Sequence, residues 1–195
     1  MKHAVILARP GDRSFSRLMA DTYVQAVTDR GHTAILRDLY VMDFDPRLKA
    51  SEIPTSPGAT PAPDVVAERA ALADVDVFAF VYPIWFGAPP AILKGYVERV
   101  FGVGFAYRTL KAGGSEPLLT GRRMISFTSS GSENTWLVDS GQWSGVRQAF
   151  DRRLQVACGL EPLDHVNHGG VDADLPPDRV EEAVAGVRRI VAELF

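Results

Sequence analysis

With 195 residues, 46% of them hydrophobic, the chain has the size of one domain with a sizeable core. Its 21 Lys and Arg against 24 Asp and Glu leave a net charge of -3, which excludes the basic footprint of a nucleic-acid binder. The one cysteine, Cys158, excludes an internal disulfide and a multi-cysteine metal centre, and neither a membrane-length apolar run nor a signal-peptide pattern is seen; a single domain over residues 1–195, in the cytoplasm, is expected.

His3 to Ala8 is too apolar to alternate, which is how a strand covered on both faces of a parallel sheet reads. Arg9 to Ser16 (RPGDRSFS) forms a loop, and Phe15, Leu18, Met19, Tyr23, Ala26 and Val27 repeat at three and four in a helix that Gly31 ends. Thr33 to Leu39 mixes polar and apolar positions and suits a sheet edge. Ser51 to Pro63, with four prolines, is an irregular loop that lies too early to divide the chain. Val75 to Tyr82 (VDVFAFVY) is a second doubly covered strand. After the loop Pro83 to Pro90, Pro89-Pro90 open a helix that runs through Phe101. Gly102-Val103-Gly104 stops that helix; it lacks the third glycine and the preceding strand of a dinucleotide-binding fingerprint. Arg123 to Thr128 is a weaker buried strand, Trp143 to Cys158 a helix, and Leu160 to Val166 an edge strand marked by Pro162. Val180, Val184, Val187, Ile190, Val191 and Leu194 stripe a final helix.

Five strands alternating with helices, the second and fifth at the edges, predict a three-layer α/β fold of the flavodoxin-like kind. Its five-stranded parallel sheet runs in the order 2-1-3-4-5, with helices on both faces. The helices that follow strands one and three leave on opposite faces, so a ligand crevice is expected at their carboxyl ends. The loops after Ala8, Tyr82 and Thr128 border it.

In the first loop, Ser14 and Ser16 stand at a helix start, where free N–H groups and the helix dipole favour an anion such as phosphate; a plain N-cap would use the same serines. The second (PIWFGAPP) places Trp85 and Phe86 where polar turn residues are usual. A planar aromatic ligand accounts for them, with Gly87 letting backbone N–H groups approach its edge, and so does a loop packed under its own helix. The third (TSSGSEN) gathers Thr128, Ser129, Ser130 and Gly131 in a composition suited to a nest of N–H groups, with Trp136 nearby. Together they favour an aromatic ligand carrying phosphate. His165 and His168 are a lone pair near a strand end and read as structural or exposed, so no metal site is expected.

At these residues the chain resembles the flavodoxin-like NAD(P)H:quinone oxidoreductases, the DT-diaphorase family with its bacterial relatives. Ser14-Phe15-Ser16 is similar to the family's Ser-Phe-Asn phosphate loop, and Asp38 to Pro46 to its stretch after the second strand. Pro83 through Tyr107 is similar to its flavin-loop and dimer-helix signature, ending in Gly-Phe-Ala-Tyr, and Thr128-Ser129-Ser130-Gly131 to its Thr-Thr-Gly-Gly type loop. The resemblance implies a bound flavin, FAD with FMN as the alternative. It implies transfer of two electrons from NAD(P)H through flavin N5 to a quinone or similar aromatic acceptor by a ping-pong cycle, without a catalytic side chain. By the same resemblance Ser14, Phe15 and Ser16 hold the phosphates, Pro83, Ile84, Trp85, Phe86 and Gly87 border the ring, and Thr128, Ser129, Ser130, Gly131 and Trp136 complete the cofactor site. Glu98 falls near the adenine end. Phe105, Tyr107 and Gln142 join Trp85, Phe86 and Trp136 around the substrate, in a homodimer whose sites lie at the interface with Tyr107 facing the partner's flavin.

Ser16 stands where the family has Asn and Ser130 where it has glycine. Trp136 and Gln142 stand where the animal enzymes have a Tyr and a His that help neutralise the reduced flavin. Neither indole nor amide gains a proton near neutrality, so that charge is expected to fall to the backbone N–H groups of Ser130 and Gly131. Two other roles on this fold stay open: a one-electron carrier, and an ancillary regulatory flavoprotein of a potassium efflux system.

Overall fold

The chain runs β1 (Lys2–Leu7), α1 (Phe15–Thr28), β2 (Thr33–Asp38), α2 (Pro63–Ala71), β3 (Val77–Pro83), α3 (Ala91–Val100), β4 (Tyr107–Thr109), β5 (Ser115–Pro117) and β6 (Arg123–Ser129). It continues through α4 (Asn134–Asp139), α5 (Gln142–Val146), a π-helical turn (Arg147–Asp151), α6 (Arg152–Cys158), β7 (Glu161–His168) and α7 (Pro177–Leu194). This is a computed structural model, and it describes all 195 residues. Five strands pair in parallel in the order β2-β1-β3-β6-β7, which is the expected 2-1-3-4-5 arrangement. The antiparallel hairpin β4-β5 is additional, and the helix expected from Trp143 to Cys158 is divided by the π-helical turn.

Successive side chains of a strand point to opposite faces, and here both faces are dry. Ala4 and Ile6 of β1 join Phe78, Phe80 and Tyr82 of β3 in one core, which Leu93, Tyr96, Val146, Phe150 and Leu154 cover from α3 and the helices after β6. Val5, Leu7, Val77, Ala79 and Val81 face the other core, covered by Met19, Ala20 and Tyr23 of α1 and by Ala183, Val187 and Val191 of α7. The helices after β1 and β3 therefore lie on opposite faces, and the loops that launch them diverge to open a crevice. Burial also pushes the Cys158 thiol up to about 12, so this cysteine is core packing and not a nucleophile.

The far end of the sheet carries a pH-sensitive contact. His3 is fully buried, with Nδ1 2.9 Å from Tyr23 Oη and Nε2 3.0 Å from His32 Nδ1. Burial, reinforced by His32, the amino terminus and Arg123, lowers its pKa to about 4. The unfolded chain takes up this proton near the usual histidine pKa of about 6.5, whereas the folded chain refuses it until about 4. Stability is thus complete above that upper value and falls as pH drops through the interval, by about 2–3 kcal/mol. Urea midpoints measured from pH 7.5 to 4 should show this loss, and His3→Gln should flatten it.

Candidate active site

The loops after β1, β3 and β6 enclose a cavity of about 480 Å3, of the size that takes a small-molecule cofactor. Ser14, Phe15 and Ser16 line one end, Pro83, Ile84 and Trp85 one side, and Ser129, Ser130 and Gly131 the other. Ser14 caps α1, accepting a hydrogen bond at 3.1 Å from the Arg17 N–H. The N–H groups of Phe15 and Ser16 meet no acceptor in the protein, so the positive end of the α1 dipole opens into the cavity. Arg9 and Arg13 stand at the same end, and neither has a carboxylate within ion-pair distance; Val171, Asp172 and Ala173 close the rim. These five residues were not among the candidates from sequence. For the two arginines the available signal was their place in the same hydroxyl-bearing loop.

The second loop is built around a tight turn. Trp85 and Ala88 exchange backbone hydrogen bonds of 2.9 and 3.0 Å across Phe86 and Gly87, which have φ of +51° and +69°. Two successive positive φ values define a type I′ turn, which glycine enters freely and phenylalanine under strain. The turn throws the Phe86 ring fully into solvent and leaves Trp85 partly exposed at the cavity wall. Gln142, at the start of α5, faces this turn, its Oε1 3.9 Å from where a Cβ on Gly87 would lie.

In the third loop the expected pair of free N–H groups is reduced to one. The Ser130 N–H is bound to the His168 carbonyl at 3.0 Å because β7 runs on beside the loop, while the Gly131 N–H has no partner. Thr128 is buried beneath this loop, outside the cavity wall.

The remaining candidates lie elsewhere. Glu98 and Tyr107 line a separate cavity of about 370 Å3, between the proline-rich loop and the end of α3. Phe105 packs on Phe101, ring centroids 5.8 Å apart, with the Arg69 guanidinium 5.9 Å above its own ring. Trp136, half exposed on α4, does not reach the crevice wall.

A family model described as a flavodoxin-like fold, Flavodoxin_2, matches residues 1–194. The chain belongs to this flavodoxin-like family. It is 32% identical over 185 residues to an uncharacterised NAD(P)H oxidoreductase of Haemophilus influenzae, covering 94% of this chain and 90% of that one. It is 29% identical to NAD(P)H dehydrogenase [quinone] 1 of Cavia porcellus, over 98% of this chain and 76% of the relative. Among solved structures, the NAD(P)H:quinone oxidoreductase from Methanothermobacter marburgensis superposes with a TM-score of 0.87 at 25% identity, covering 100% of this chain and 99% of that one. No helix of this flavodoxin-like chain is long and apolar enough to cross a membrane.

Proposed function

We propose that this chain is a flavin-dependent NAD(P)H:quinone oxidoreductase, as the names of its relatives support. The observation that carries the reading is the two-part crevice. Unpaired N–H groups and carboxylate-free arginines gather at one end, and a slot of Pro83, Ile84 and Trp85 faces the free Gly131 N–H at the other. That fits a phosphate-bearing ligand with a planar ring. When bound, a flavin supplies the two-electron chemistry, taking a hydride from the reduced nicotinamide and passing its electrons to a quinone or similar aromatic acceptor. The chain's share is to hold phosphate on Phe15, Ser16, Arg9 and Arg13, to border the ring with the second loop, and to offer the Gly131 N–H to the ring edge. FAD is the proposed form, with FMN the shorter alternative. No side chain of the crevice is assigned as nucleophile or general base.

A homodimer is proposed as well, with Tyr107, which lies apart from its own crevice, facing the partner's flavin and Glu98 near the adenine end of FAD. Light scattering at micromolar concentration is expected to give twice the chain mass.

Fluorescence titration of the flavin-free chain tests the cofactor. FAD and FMN should bind one per chain, and the purified protein should oxidise NADH or NADPH with a quinone, giving the parallel initial-rate lines of a ping-pong cycle. A charge-assisted hydrogen bond contributes about 1.5–3 kcal/mol, so the double variant Arg9→Ala, Arg13→Ala should bind FMN on the order of 100-fold more weakly. Its affinity for riboflavin, which has no phosphate, should stay unchanged. A chain that binds no flavin would overturn the proposed function.

A further inference from the structure

Behind the third loop lies a hydrogen-bond chain, buried at its Asp151 end and reaching the surface at Asn134, whose direction is fixed by two backbone carbonyls. Asn134 Nδ2 donates to the Asn167 carbonyl at 3.1 Å, and Ser130 Oγ donates to the Ser132 carbonyl at 2.8 Å. A carbonyl oxygen only accepts, so Asn134 turns its Oδ1, and Ser130 a lone pair, toward Asn167. Both receive protons from Asn167 Nδ2, at 2.7 and 3.0 Å. Asn167 Oδ1 then faces Thr128 Oγ1 at 2.9 Å, and two oxygens at that distance need a proton between them, which only the hydroxyl supplies. With its one proton committed, Thr128 must accept at its 3.0 Å contact with His165 Nε2. Nε2 therefore carries a proton. His165 Nδ1 is hydrogen-bonded to Asp151, which the π-helical turn pushes into the core and which Ser126 Oγ approaches at 3.4 Å.

We propose that Asp151 and His165 are positioning residues: the Asp151 carboxylate accepts the Nδ1 proton and balances an imidazolium whose second proton sits on Nε2, and that second proton polarises Thr128, Asn167 and Ser130 so that the third loop holds its free N–H toward the crevice. The proposal rests on the flavin reading above. The side chains of His165 and Asp151 are only 3% and 6% exposed, so water does not compete for these bonds. The groups facing the imidazole are Ser126 and Thr128 of β6, Tyr82 of β3, Asp151 of the π-helical turn and the Trp143 ring of α5, with centroids 4.7 Å apart. Asp164 touches only the His165 backbone N–H, at 2.7 Å. No cation other than the imidazole itself stands beside Asp151, so the carboxylate depends on His165 for its partner. A crevice flanked by N–H groups directed in this way favours negative charge on the ring edge. It also supplies a fixed counterpart to the Trp136 and Gln142 positions, which cannot gain a proton.

Nitrogen-15 NMR of the flavin-free chain, labelled at histidine, reads the central claim directly: His165 Nε2 should be protonated, and a bare Nε2 would overturn the proposal. Thr128→Val cuts the chain between His165 and Asn167 at nearly constant volume, and Thr128→Ser restores the hydroxyl. The valine variant should bind FMN about tenfold more weakly and shift the two-electron potential of the bound flavin negative by about 30 mV, the equivalent of a tenfold change; the serine variant should return both to wild-type values. Asn167→Ala, one link nearer the surface, should repeat the loss if Thr128→Val does not fold. Wild-type affinity and potential in a folded Thr128→Val would overturn the proposal. Failure of the wild-type chain to bind FMN or FAD would overturn the flavin reading together with the coupling, whatever NMR shows of the imidazole.

Discussion

Replacing Arg99 with methionine is expected to destabilise the protein by about 3 kcal/mol, the lower end of the range for breaking a buried ion pair from one side. Arg99 is 2% exposed and uses all five of its N–H donors. Glu52 takes Nε and Nη2 at 3.1 and 2.9 Å, Asp64 takes Nη1 and Nη2 at 2.7 and 2.9 Å, and the Asp45 carbonyl takes Nη1 at 2.6 Å. Burial alone would raise the Glu52 carboxyl. The Arg99 bonds and the backbone N–H groups of Lys49 and Ala62 outweigh it and hold Glu52 below the usual carboxylate range. Methionine fills much of the arginine volume but removes the guanidinium that partners the buried Glu52 carboxylate, leaving it the backbone N–H groups of Lys49 and Ala62; Asp64 is half open to water and loses little. A carboxyl depressed by folding contributes stability above its unfolded pKa, so the penalty should be largest at pH 7, begin to shrink as pH falls through the usual glutamate range of about 4.5, and disappear only once folded Glu52 is protonated as well. For a chain of this length the midpoint should fall by about 6–12 °C. Arg99→Lys keeps the charge but not the five-donor fork and should recover only part of the loss. Denaturant midpoints of the three proteins at pH 7 and pH 4 check the ordering.

The parts of this architecture that were legible in the sequence are those that repeat. Val77 to Tyr82 is buried on both faces and had to be an inner strand, and the Pro162 of β7 had to sit at an edge. Strand order then located the crevice, and nine of the residues expected there do line it. The hairpin β4-β5 has three residues per strand, too few for any period to register. The link from Asp151 to His165 joins different elements and depends on a π-helical turn that leaves no mark on composition. Glu98 and Tyr107 were named by resemblance alone, and the chain places them in a cavity separate from the crevice. Arg9 and Arg13 were visible in the first loop, but only the structure reveals that no carboxylate neutralises them.

Gly95→Ala should be destabilising by about 3 kcal/mol, at the upper end for overpacking, although an alanine inside a helix ordinarily gains about 1 kcal/mol over glycine. Gly95 lies mid-way along α3, and a Cβ there would stand 2.1 Å from the Pro46 carbonyl oxygen and 2.5 Å from its Cβ. The obstacle is backbone, so no rotamer change relieves it. Opening more than 1 Å is needed to reach ordinary contact, and Pro46 is not free to retreat, because Arg99, one helical turn on, holds the neighbouring Asp45 carbonyl. One face of α3 therefore fixes the Asp45 to Glu52 segment twice, by close approach at Gly95 and by the guanidinium fork at Arg99. Residues that act on one segment are not additive. Once Arg99→Met has released the segment, Gly95→Ala should lose most of its effect, and the double variant should be less destabilised than the two single changes together. Equal additivity in a double-mutant cycle of urea unfolding would show that Gly95 and Arg99 restrain the loop independently.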